Sequence, residues 1–252
     1  MIPPILHQIW YQGADQLPPR YRAFRDGWLA AHPAWEHRLW DEAACRMLLA
    51  AHYPAFLPTW DAYPLRIQRI DSIRYFLLGH HGGVYLDMDM ECLRPLDPLL
   101  DGCELLLSRT VHYNIAALGG APSHRLWHHA QAGLLATAAR PAPSGLGRWI
   151  GGEARLAAET AGPVFFARMV RESGADLDAT TRVCPGHTFE PLAPTLVDGR
   201  LTFANDRSAS YAVHHEALGW MSWGHRQVSR ITRPLFRLTF GRTRRAGAPR
   251  HD

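Results

Sequence analysis

Two carboxylates one residue apart, Asp87 and Asp89, close the run Gly82-Gly83-Val84-Tyr85-Leu86-Asp87-Met88-Asp89-Met90. The apolar stretch behind the glycines reads as a buried strand, and packing alone gives no reason to end such a strand in two acids. Burying an ionised carboxylate is costly unless a cation or dense hydrogen bonding offsets it. Residues two apart on an extended segment face the same side, so the pair is expected to share one divalent ion. Hard oxygen donors favour Mn2+ or Mg2+ over zinc. Upstream, Asp71 and Arg74 lie three apart on one helix face. Set among apolar residues, they are candidates for binding sugar hydroxyls or a ribose; the alternative is a surface ion pair of small worth. Downstream, His214 and His215 end a short apolar strand. Neutral imidazole is a fair third ligand for manganese, and the plainer alternative is a satisfied core histidine.

Several elements must hold these groups in place. Residues 2–10 read as a strand apolar on both faces, hence central in a mainly parallel sheet. Ligands in open α/β sheets bind beyond the carboxyl ends of strands, so Trp10 is a candidate to stack on a base, or else a core tryptophan. A helix opens at Pro18-Pro19 and stops at His32-Pro33. A strand over 35–40 follows, and Asp41 caps a helix reaching about residue 51. Residues 65–78 predict an amphipathic helix with Gly82 or Gly83 as its stop. Further strands are expected over 104–108, 114–118, 181–192 and 201–203, with Asp198-Gly199 a turn between the last two. Ser123 caps a helix over 123–139, whose His124, His128 and His129 have metal-compatible spacing without acidic support; a solvated face is the expectation. Residues 140–152, rich in proline and glycine, predict a mobile loop, and Pro163 opens a helix over 164–172. This alternation is the doubly wound α/β pattern.

With 252 residues, 47% hydrophobic and 20% charged, the chain is long enough for one domain with a full core. No apolar run approaches the roughly 20 residues of a membrane span, and the first residues do not read as a signal peptide. A cytoplasmic location is expected, either free or peripheral on the inner membrane face. The four cysteines lack CxxC spacing, which argues for reduced thiols rather than zinc or disulfides. All 27 basic residues are arginine, which excludes Schiff-base chemistry and leaves phosphate recognition to guanidinium groups. From Arg226 onward arginines alternate with Leu235, Phe236, Leu238 and Phe240. This 226–252 tail is expected either to lie on an anionic membrane or to be a solvated terminus. The mild net charge of +4 gives no support for nucleic-acid binding.

Taken together, Ile5-Leu6-His7-Gln8-Ile9-Trp10, Asp71-Ser72-Ile73-Arg74-Tyr75, the Gly82–Asp89 run, Asn114, Thr160-Ala161-Gly162-Pro163, His214-His215 and Ser222-Trp223 resemble the DXD-containing sugar transferases of glycosyltransferase family 32. That family includes the fungal initiating α-1,6-mannosyltransferase and bacterial capsular-polysaccharide and lipid-glycan transferases. The resemblance implies a GT-A fold over 1–225, with a single mainly parallel sheet flanked by helices. It implies a metal-dependent, retaining hexosyltransferase moving a sugar from a GDP- or UDP-linked donor to a glycan or glycolipid acceptor, in surface polysaccharide synthesis. It places Trp10 near the base, Asp71 and Arg74 on donor sugar or ribose, Asp87 on ribose or sugar, and Asp89 on the metal. His214 is the first choice for the third metal ligand, with His215 the alternative. Asn114 and Gly162 join the nucleotide-sugar site, and Ser222 and Trp223 hold or cover the diphosphate. One departure stands out: Glu216 to Met221 lengthens the gap between the histidines and Ser222-Trp223. The rival readings are a haloacid-dehalogenase-like phosphohydrolase, which would need a later lysine that this chain lacks, and a non-catalytic nucleotide-sugar-binding protein.

Overall fold

The computed structural model describes residues 1–110, 112–137, 152–191, 194–197, 200–203 and 207–215. The expected loop over 140–152 falls almost wholly outside them. So do the Asp198-Gly199 turn, Ser222, Trp223 and the 226–252 tail.

A six-stranded sheet carries the fold. Its strands are β1 (Ile5–Ile9), β2 (Glu36–Trp40), β3 (Gly83–Leu86), β5 (Leu105–Arg109), β6 (Ala117–Gly120) and β7 (Thr181–Pro185), in the order β2-β1-β3-β6-β5-β7. Only β6 runs against the others, so the sheet is mainly parallel, as expected. Beside it, β4 (Met90–Cys92) pairs antiparallel with β10 (Ala212–His214), and β8 (Pro194–Val197) with β9 (Arg200–Phe203). The period-two alternation of strand side chains divides the core. Ile9, Tyr85, Leu105, Leu107 and Leu118 face one cluster, and Leu6, Val84, Leu86, Leu106 and Ala117 the other.

Helices cover both faces: α1 (Pro19–Ala31), α2 (Glu42–His52), α3 (Leu57–Ala62), α4 (Arg66–His81), α5 (Asp97–Leu100), α6 (Arg125–Thr137), α7 (Glu153–Thr160) and α8 (Pro163–Ser173). Asp41 caps α2, its carboxylate accepting from Ala44 N at 2.7 Å. The expected Ser123 cap is replaced by His124, whose Nδ1 accepts from Leu126 N at 3.2 Å. Ser123 instead sits at a positive φ of 56°, donating its backbone N–H to Gly79 O.

The largest revision concerns α4. Every residue from Asp71 to Gly79 is buried, so the helix is not amphipathic. It is a central rod enclosed by the sheet on one side and by α6 and the α7–α8 pair on the other, and such helices are buried around their whole circumference. Tyr75 stacks on Phe166 with ring centroids 5.4 Å apart and donates to Ala161 O at 2.8 Å. Gly82 ends the rod at φ 65°. A Cβ there would lie 2.6 Å from Pro122 and 2.8 Å from Pro3, so the chain can turn directly from α4 into β3 only at glycine.

Beside that turn, Trp40 Nε1 donates to His7 Nδ1 at 3.1 Å, and His7 Nε2 donates to Gly82 O at 2.9 Å. This arrangement requires the neutral imidazole. Burial pushes the pKa of His7 down from 6.5 to about 4, against the opposing pull of the Gly82 carbonyl. Between those two values the unfolded chain binds a proton that the folded chain excludes. His7 therefore contributes stability that is present above pH 6.5 and lost as pH falls toward 4, by roughly 3 kcal/mol. Asp71, protonated more readily when folded, acts in the opposite direction over this window. The decisive measurement is thus the difference between wild type and His7→Gln in chemical denaturation at pH 6.5 and pH 4. The variant is expected to lose less stability on acidification, and equal losses would refute the assignment.

Candidate active site

The acidic pair sits in a turn and not on a strand. β3 stops at Leu86, Asp87 N still donates to Ala116 O of the neighbouring chain segment at 2.9 Å, and Met90 N then folds back onto Asp87 O at 3.2 Å. The expectation that an extended period of two aligns the carboxylates is therefore replaced by a tight reversal, which still brings them together. The reversal is anchored from the opposite face of the sheet, where fully buried Trp28 of α1 donates to Met90 O at 2.8 Å.

Strand β10 supplies the third group. Its antiparallel register sets His214 opposite Met90, and His215 N donates to Asp89 O at 3.0 Å. Asp87, Asp89 and His214 each offer a donor atom within 4.8 Å of the others. His214 Nε2 lies 3.3 Å from Asp89 Oδ1, and its Nδ1 lies 2.8 Å from Glu190 Oε1. Burial opposes a charge on this ring, but the hydrogen bonds to Asp89 and Glu190 and the charges of Asp89 and Asp87 prevail and raise its pKa well above the ordinary value. Two carboxylates and an imidazole with a carboxylate behind it form a donor set suited to a divalent cation such as Mn2+. His215 is not part of it: its Nε2 lies 2.9 Å from Glu91, and its ring stacks on Phe24 at 4.8 Å.

Behind this centre lies a buried ionic network. Arg74 donates to Asp71 Oδ1 at 2.8 Å and to Ile115 O at 2.7 Å, lies 3.4 Å from Asp87 Oδ1, and stacks over the Tyr85 ring at 4.6 Å. Tyr85 in turn donates to Asp87 Oδ1 at 2.6 Å. The guanidinium side chain is 3% exposed. Arg74 reaches the cavity wall, where its guanidinium also holds the Asp71 and Asp87 carboxylates. Asp71 lies at the cavity wall, and burial pushes its carboxyl up to about 7, with Arg74 opposing the shift and Asp87 adding to it.

A cavity of about 750 Å3 opens over these groups, lined by Trp10, Tyr21, Arg66, Asp71, Asp87, Asp89, Asn114, Glu190 and His214 among others. That volume suits a ligand of nucleotide-sugar size. Trp10 is at its wall and not in the core, held edge-on to Tyr21 at 5.3 Å and by a hydrogen bond to Gln16 O. Asn114 lines the cavity, but both ends of its amide are engaged: Nδ2 donates to Glu190 Oε1 at 2.7 Å and Oδ1 accepts from Ala116 N at 2.7 Å. Gly162 stands behind Asp71 and does not line the cavity. A Cβ there would come within 3.1 Å of Asp71 Oδ2 and 2.9 Å of Ala158 Cα, so glycine allows the α7–α8 corner to close on the carboxylate. Glu190 and Tyr21 carry no signal in sequence spacing that marks them as site residues, and tertiary contacts alone bring them here, whereas Tyr85 reaches Asp87 from two positions away.

The comparisons with known proteins agree with this geometry. Residues 18–105 match the family described as the glycosyltransferase sugar-binding region containing DXD motif. The relatives include inositol phosphoceramide mannosyltransferase 3 of Schizosaccharomyces pombe, 41% identical over 39% of this chain and 27% of that protein. Mannosyl phosphorylinositol ceramide synthase SUR1 of Saccharomyces cerevisiae is 36% identical over 49% of this chain and 32% of its own. The initiation-specific α-1,6-mannosyltransferase of Candida albicans is 30% identical over 42% of this chain and 29% of its own. The chain thus spans about a third or less of the length of these relatives. Among solved structures, the PaToxG glycosyltransferase aligns over 71% of this chain and 72% of that one, with 15% identity and a TM-score of 0.49. The main sheet of six mostly parallel strands flanked by helices has the architecture that the family resemblance led one to expect. Among the described residues, no helix is long and apolar enough to cross a membrane.

Proposed function

We propose that this chain is a metal-dependent, retaining hexosyltransferase that moves a mannosyl group from a nucleoside-diphosphate donor to a glycolipid acceptor carrying an inositol phosphate. The single observation that carries the activity is the convergence of Asp87, Asp89 and His214 on one side of a nucleotide-sized cavity. The choice of mannose and of an inositol-phosphate lipid follows the names of the relatives.

Mn2+ or Mg2+ held by Asp87, Asp89 and His214 would supply Lewis-acid neutralisation of the departing diphosphate. The protein's own groups do the rest. Trp10 and Tyr21 offer aromatic faces at the cavity wall for the base. Tyr85 and Arg74 fix the Asp87 carboxylate, so that no reorganisation is needed as charge develops on the leaving group. Asp71 presents a carboxyl to the sugar hydroxyls. Retention follows if the acceptor hydroxyl attacks the oxocarbenium-like centre from the leaving-group face, with the departing phosphate taking its proton. The acceptor would be met at a membrane surface on the cytoplasmic side, where the arginine-rich tail can contact anionic headgroups. A role in surface-glycan synthesis is part of the same proposal.

The test is a melting-temperature screen of nucleotide sugars with and without Mn2+, followed by transfer to inositol-phosphate lipid in vesicles. A donor present at a hundredfold over its Kd stabilises the folded chain by about 2.7 kcal/mol, which is readily detected. A GDP- or UDP-linked mannose is expected to raise the melting temperature in a Mn2+-dependent manner and to be consumed in transfer. A panel in which no nucleotide sugar produces either effect would end the proposal.

A further inference from the structure

We propose that Glu190 is a positioning residue of the metal centre, locking His214 with Nε2 toward Asp89 while Asn114 locks Glu190. The inference rests on the metal reading above and assigns a function to two residues outside the acidic motif. Glu190 lies just beyond β7 and is brought to His214 by the backbone: His214 N donates to Phe189 O at 3.1 Å, and Phe189 is fully buried. Its side chain is 13% exposed. One oxygen, Oε1, accepts from both His214 Nδ1 at 2.8 Å and Asn114 Nδ2 at 2.7 Å.

Nδ1 faces the Glu190 carboxylate and Nε2 faces that of Asp89; with a cation on the Asp89 side, the one proton left on the ring belongs on Nδ1, where a carboxylate can accept it, and the lone pair on Nε2. A carboxylate behind a ligating imidazole also makes it a better donor to a cation. Asn114 cannot turn away, because its Oδ1 is held by Ala116 N, and Ala116 O in turn accepts from Asp87 N at 2.9 Å. The hydrogen bonds therefore run in one circuit from the Asp87 backbone through Ala116, Asn114, Glu190 and His214 to the Asp89 carboxylate. Asn114 accordingly acts on the site through Glu190, in place of the nucleotide contact that the family resemblance implies.

The test measures Mn2+ binding to the full-length chain by the electron paramagnetic resonance of free Mn2+, alone and with GDP or UDP. Wild type is compared with Glu190→Gln, Glu190→Ala, Asn114→Ala and Asp89→Asn. Glu190→Ala is expected to weaken Mn2+ binding about 10- to 100-fold, with a metal-free melting temperature close to wild type. Glu190→Gln, which keeps an oxygen for Nδ1–H and the same shape, is expected to lose less, and it carries the test should the alanine variant fail to fold. Asn114→Ala is expected to shift binding in the same direction. Unchanged Mn2+ affinity in Glu190→Ala and Glu190→Gln, with turnover collapsed, would place Glu190 on the substrate and overturn the positioning role. Failure of wild type to bind Mn2+, or an Asp89→Asn variant binding as wild type does, would instead remove the metal reading itself, and this inference with it.

Discussion

Replacing Asp89 by asparagine is expected to lower sugar transfer by at least roughly a thousandfold while leaving the fold intact. The magnitude follows from comparison with weaker devices. Deleting a single neutral hydrogen-bond donor to a developing oxyanion already costs about 100- to 1,000-fold in other enzymes. Asp89 has a larger task, since the group it would hold neutralises a diphosphate leaving group. The structural cost should be small. The side chain is 14% exposed and pairs with His214 in a cluster that already holds Asp87 and Glu190, so removing one negative charge relieves as much as it breaks. Turnover and melting temperature measured on the same preparation separate the two effects. His215→Ala is the informative control: its ring is held by Glu91 and Phe24 rather than by the acidic pair, and Mn2+ affinity should be close to that of wild type. Near-normal transfer by Asp89→Asn would refute the role of the acidic pair.

The parts of the fold that were legible in sequence are those set by local chemistry. The strand at Ile5–Ile9, the Asp41 cap and the Gly82 stop each depend on residues a few positions apart, and each is found where expected. The acidic pair was legible for a related reason, because it is contiguous with the strand before it. What failed depends on neighbours distant in sequence. The helix over 66–81 has the spacing of an amphipathic element, but α6 and the α7–α8 pair enclose the face that spacing assigns to solvent. Asp87 and Asp89 were expected on a strand because a period of two is the simplest way to align them; the Met90–Asp87 hydrogen bond aligns them by a turn. His214 and His215 could not be separated by sequence, since the choice lies in the register of β10 against β4. Glu190 was missed altogether, because the contacts that make it matter join residues 24 and 76 positions apart.

The second large effect belongs to Arg74. Arg74→Met should destabilise the protein by about 3–5 kcal/mol, the usual cost of removing one partner from a buried ion pair. For a chain of this length that corresponds to a fall in melting temperature on the order of 6–20 °C. The methionine fills much of the same volume, so the loss is electrostatic: Asp71 and Asp87 are left facing each other, and Ile115 O loses its donor. The loss should also depend on pH. Asp71 already has its carboxyl pushed up to about 7 by burial, against the opposing charge of Arg74. Without the guanidinium that opposition is gone and the carboxyl takes its proton at higher pH still. At pH 5 Asp71 in the variant is then neutral and the penalty is reduced, whereas at pH 8 protonation is less complete and the penalty is greater. Urea denaturation at the two pH values reads this directly. Adding Asp71→Asn to Arg74→Met should recover part of the loss at pH 8, because the charge that Arg74 offset is then absent, and a double-mutant cycle isolates that coupling. A single-variant loss below about 1 kcal/mol, or a double variant no more stable than Arg74→Met alone, would show that the pair is not the buried support of Asp87 inferred from its geometry.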